Sequence, residues 1–68
     1  MIHDSEGRRA FVRVLQHSTA TEVARVCGVT VQAVSRWATG ATRPSEAHRM
    51  TIETRYRIHH WAWYQRPI

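Results

Sequence analysis

Arginines, a run of hydroxyl residues and five histidines are the side chains in this 68-residue sequence that could do chemistry. Ten arginines and no lysine stand against five acids, a formal charge of +5. On so small a surface that is a considerable field, and it calls for an anionic partner. Arg36 and Gln32 are four residues apart, as are Ser35 and Val31, so on a helix they share one side. An arginine fork matches the acceptor edge of guanine, a glutamine amide matches adenine, and a valine can touch a thymine methyl. Thr30, Ser35, Thr39 and Thr42 carry hydroxyls suited to phosphate oxygens, although helix capping and turn formation use the same groups. Arg43, in a loop before Pro44, places a cation where backbone phosphate is in reach and base edges are not.

The remaining reactive residues exclude other chemistry. His3, His17 and His48 fall in separate elements, and the adjacent His59 and His60 are expected to diverge, so no metal site is expected. The lone Cys27 has no partner for a disulfide or a zinc ion and reads as a small core residue. No Ser-His-Asp or Cys-His order suggests a nucleophile, and the acids lack paired spacing. The expectation is a protein that is not an enzyme and uses no cofactor. With 43% hydrophobic and 22% charged residues the composition is globular. No apolar run approaches the roughly 20 residues that span a bilayer, and Met1-Ile-His-Asp4 does not resemble a signal peptide, which leads to a cytoplasmic expectation.

Apolar residues recur at helical spacing from Ala10 to Tyr64, without strand alternation, so the chain is expected to be all-α. The reading is one domain over 1–68, a bundle of four or five short helices. The first starts after Asp4 or Ser5 and ends near Gln16, with Phe11, Val14 and Leu15 on one stripe. Thr19 and Glu22 have capping-box spacing at the head of a helix over Ala20 to Cys27. Gly28 ends it in a left-handed turn, and Thr30 caps a third helix from Val31 to Thr39. That helix turns Val34 and Trp37 inward and Val31, Gln32, Ser35, Arg36 and Thr39 outward. Gly40 stops it, and Ser45 is placed to cap a fourth helix with His48, Ile52 and Tyr56 on one face. Ile58 to Tyr64 forms a short fifth helix or turn, before a frayed end.

Two short helices joined by a tight glycine turn need a small residue where they touch and branched residues filling the angle. Ala24, Gly28, Val29 and Val34 supply these in order. The second helix then projects outward, and at about 10 to 12 Å across it fits a major groove about 12 Å wide.

From Thr19 to Trp63 the chain resembles the Cro and phage-repressor (XRE-type) helix-turn-helix family. The resemblance rests on Ala24, Gly28-Val29, Thr30, Val34-Ser35-Arg36-Trp37, Gly40 and Arg43-Pro44-Ser45 at fixed mutual spacing, with Ile58 and Trp63 closing the end. Ala20 departs from it, standing where the family places a phosphate-touching glutamine, a role that falls in part to Thr21. Arg57 departs too, replacing the glycine before Ile58, and Trp61 is an extra aromatic. The resemblance implies base contacts from Val31, Gln32, Ser35 and Arg36 and phosphate contacts from Thr21, Thr30, Thr39, Thr42 and Arg43. It implies a repressor or Cro-like regulator that binds double-stranded DNA as a homodimer on a palindromic operator. Trp61, Trp63, Tyr64 and Ile68 are the expected dimer surface. The alternative is a helix-turn-helix-shaped adaptor, an inhibitor of transcription, or an antitoxin with a protein partner.

Overall fold

Helix boundaries in the computed structural model, which describes residues 2–67, follow from a cap at nearly every end. Helix α1 (Glu6–Val14) begins where the Ser5 hydroxyl accepts from the Arg8 amide at 3.0 Å. Helix α2 (Ala20–Cys27) begins at Thr19 and helix α3 (Val31–Thr39) at Thr30, each hydroxyl accepting an amide three residues on at 3.1 Å. These contacts satisfy donors that a helix start leaves orphaned. Helix α4 (Glu46–Tyr56) is followed by a 3₁₀ turn over His60–Tyr64. No strand occurs among the described residues. The fold is thus the expected all-helical bundle, with the second and third helices at the expected residues.

Three local expectations change. Helix α1 ends at Val14, and Leu15 to Ser18 form a turn in place of its last residues. The Glu22 carboxylate pairs with Arg25 at 3.3 Å, so Thr19 supplies the capping bond at this helix start. Ser45 stands before α4 without capping it, because its hydroxyl bonds the His48 ring at 3.0 Å. The ring nitrogen competes with the backbone for a short side chain.

The core gathers Phe11, Val23, Ala24, Val34, Trp37, Ile52, Ile58 and Trp63. Phe11 is its centre, with its ring 6.0 Å from Trp37 and 5.4 Å from Trp63, distances at which tilted aromatic pairs attract. Gly7 lets α1 approach the closing turn so nearly that a Cβ there would stand 2.6 Å from the Trp63 amide nitrogen. Arg49 is buried, a residue the sequence reading left unremarked. It donates to the Pro44 carbonyl at 2.9 Å and to the Tyr64 hydroxyl at 3.3 Å. Arg57 occupies the left-handed region (φ 62°) at the end of α4, so the bend forms with arginine where glycine would be strain-free.

Candidate nucleic-acid interface

The turn between α2 and α3 sets the direction of the exposed helix. Gly28 has φ 69° and ψ 35°, and the Val29 amide returns to the Ala24 carbonyl at 2.9 Å. No atom lies within 4 Å of a Cβ built on Gly28, so backbone angle and not space requires glycine there. Ala24 is buried where the two helices meet.

Helix α3 is anchored from below and open above. Val34 is fully buried and Trp37 is 5% exposed, its ring lying 5.4 Å from that of His48. Val31, Gln32, Ser35, Arg36 and Thr39 are all exposed, Val31 to 43%. The five expected outward residues therefore share one open face, and the two expected inward ones share the core. Among the described residues nothing bonds or pairs with the Arg36 side chain, which leaves its full fork of donors available. No acid stands between Glu22 and Glu46, so no carboxylate in this segment opposes an anion approaching the face.

The far end of α3 is held by residues distant in sequence. Arg8 Nη1 donates to the Ala38 carbonyl at 2.7 Å, while its Nε pairs with Asp4 at 3.1 Å. The His3 amide donates to the Gly40 carbonyl at 2.6 Å. A guanidinium at a helix C-terminus satisfies an orphan carbonyl and complements the dipole. Asp4, held below the usual carboxylate range chiefly by its bond to Arg9, and also by Arg8, stays charged to keep both arginines in place. Sequence reasoning missed this brace, since nothing local links positions 3, 8 and 40.

The expected phosphate contacts divide. Thr21 is exposed in the first turn of α2. Thr30 accepts from Ala33 and keeps its own hydroxyl hydrogen free to donate. Thr42 is exposed, whereas Thr39 donates to the Arg36 carbonyl at 3.3 Å. Arg43 is already engaged: its Nε donates to the Trp63 carbonyl at 3.1 Å, and its guanidinium lies 4.4 Å over the Tyr64 ring. This ties the loop after α3 to the closing turn.

The expected dimer surface needs one correction. Trp63 is 1% exposed and packs on Phe11, so it closes the core and cannot meet a partner. The 3₁₀ turn sends Trp63 inward and leaves Trp61 and Tyr64 at 55% and 50% exposure, edge to face at 5.8 Å. Ile68 lies outside the described residues.

No helix among the described residues is long and apolar enough to cross a membrane. No curated protein and no solved structure matches the chain significantly. A family model described as helix-turn-helix matches residues 11–54, from the last turn of α1 through α2, the glycine turn and the exposed helix into α4. With those residues arranged as above, the chain belongs to the XRE-type helix-turn-helix family of DNA-binding regulators, the family of Cro and the phage repressors.

Proposed function

We propose that this protein is a sequence-specific reader of double-stranded DNA that lays α3 in the major groove and regulates transcription from the cytoplasm as a small repressor or Cro-like switch. The observation that carries the reading is the open face of α3, where Gln32 and the unpartnered Arg36 stand side by side over the Val34–Trp37 anchor. Bidentate pairing of arginine with guanine and of glutamine with adenine is the chemistry that face offers, with Val31 beside a thymine methyl and Ser35 bonding a base edge. Thr21, Thr30 and Thr42 set register on the phosphates, and Thr39 joins them by turning its hydroxyl hydrogen away from the Arg36 carbonyl. Arg43 adds a phosphate contact through the nitrogens not bonded to Trp63. One recognition helix covers about half an operator, so the protein acts as a homodimer on half-sites about 34 Å apart.

Exposed Trp61 and Tyr64 favour a protein contact at the closing turn, and the self-contact of the dimer uses them. The same patch supports a second reading, an adaptor, inhibitor or antitoxin whose partner is another protein. Selection of bound sequences from random duplex DNA separates the two. A palindromic consensus is the expected result, and failure of every duplex to bind at low salt would transfer the proposal to the adaptor.

A further inference from the structure

On the far side of the left-handed residue Arg57, the end of α4 and the closing turn bring three ligating side chains together. His60 Nδ1 lies 2.8 Å from Glu53 Oε1. The His59 and His60 rings, expected from their adjacency to diverge, instead stack at 4.6 Å between centroids with 22° between planes. One ligand atom from each of Glu53, His59 and His60 lies within 4.8 Å of the others. Arg57 at φ 62° turns the chain, so a carboxylate and two imidazoles six and seven residues further on meet on one surface.

We propose that Glu53, His59 and His60 form a surface site for a divalent transition-metal ion of the zinc class. Two imidazoles and one carboxylate are a ligand set that zinc takes while keeping a position for water, and imidazole also suits nickel and copper. The bond from Glu53 to His60 would by itself serve as a brace across the bend. His59 adds nothing to that brace, yet its ring lies along His60. Its Nδ1 accepts the Trp61 amide at 3.2 Å, which orients the ring in the metal-free protein; ligation through Nε2 places the ring proton on Nδ1 and gives up that bond. Donors about 2.0–2.1 Å from a tetrahedral ion stand about 3.3 Å apart, so the most widely separated of the three atoms, within 4.8 Å of each other, must draw in by at most about 1.5 Å. His59 is exposed and the other two are half-buried, so side-chain rotation supplies that movement without disturbing the core. The bound ion clamps the closing turn, with Trp61 on it, to the end of α4. The site is separate from the face of α3 and does not depend on the DNA-reading proposal.

The test is zinc chloride added to untagged protein, followed by calorimetric titration, thermal melting and the imidazole resonances of the five histidines. One ion per chain is expected. At about a hundredfold excess over the dissociation constant the melting temperature should rise by about 10–20 °C. The His59 and His60 ring signals should shift while those of His3, His17 and His48 stay in place. His60→Ala also removes the bond to Glu53, so His59→Ala, on an exposed ring, is the deciding variant and should weaken binding at least tenfold. Absence of binding at millimolar zinc overturns the proposal. So does undiminished affinity in His59→Ala, or a shift pattern centred on the other histidines.

Discussion

Replacing Gly7 by alanine sets two effects of opposite sign against each other. Glycine within a helix is less favourable than alanine by about 0.5–1 kcal/mol, so helix propensity alone makes the substitution stabilising. At Gly7 the new Cβ would stand 2.6 Å from the Trp63 nitrogen, 2.8 Å from its Cα and 2.9 Å from the Ala62 carbonyl carbon. All three are backbone atoms, so no rotamer relieves the overlap. To restore ordinary contact, α1 and the closing turn must part by about 0.8 Å. A radial gap of that size forfeits about a quarter to a half of the dispersion well of the atoms around it. It opens where Phe11 meets Trp63 and strains the bond from the Glu6 amide to the Gln65 carbonyl, now 2.9 Å. Overpacking of a well-filled site costs about 1–3 kcal/mol, which exceeds the propensity gain. The net loss of about 1–2 kcal/mol should lower the melting temperature by roughly 5–15 °C in a domain of this size. Far-ultraviolet circular dichroism and tryptophan fluorescence, followed through the same melt, measure it. An unchanged or raised melting temperature would refute the reasoning, since propensity would then outweigh the backbone overlap.

Arg57→Gly should act in the opposite direction. It relieves a left-handed arginine at the end of α4 and should add about 0.5–1 kcal/mol after the entropy of the unfolded glycine is subtracted, visible as a higher melting temperature in metal-free buffer. Burial pushes the Cys27 thiol and the Tyr56 hydroxyl upward, so the folded state prefers both neutral. Their contribution is fully present below the ordinary thiol range and is lost as the solution passes above about pH 9. Melting temperature across an alkaline series should fall accordingly, and Cys27→Ala should remove the earlier part of the fall. Trp61→Ala should weaken self-association in sedimentation equilibrium while leaving the helical spectrum nearly unchanged, and a wild-type chain that stays monomeric on DNA would sink the interface proposed for the closing turn.

The parts of the fold legible in the sequence are those whose causes are local. Thr19, Gly28, Thr30 and Gly40 act within three or four residues of themselves, and α2, its turn and α3 appear where their spacing places them. The inward pair Val34–Trp37 follows from helical period alone. What stayed hidden depends on residues far apart in the chain. The role of Gly7 is set by Trp63, the brace on α3 by Arg8 and His3, and the engagement of Arg43 by the closing turn. Trp63 and Tyr64 are neighbours of similar type, and only the 3₁₀ geometry sends one to the core and the other to the surface. The stacking of His59 on His60 has the same origin, in backbone angles that adjacency does not specify.

The claim that α3 reads base edges is tested most directly by Arg36→Ala, titrated against the selected duplex and a scrambled one across a salt series. Arg36 has no partner within the described residues, so its removal should leave the melting temperature in place. Loss of one bidentate base contact should weaken the selected duplex by about 1–3 kcal/mol, roughly fivefold to 150-fold, with a much smaller effect on the scrambled duplex. Equal weakening of both duplexes, accompanied by a salt slope reduced by about one contact, would show that Arg36 holds phosphate and would contradict base reading by this helix.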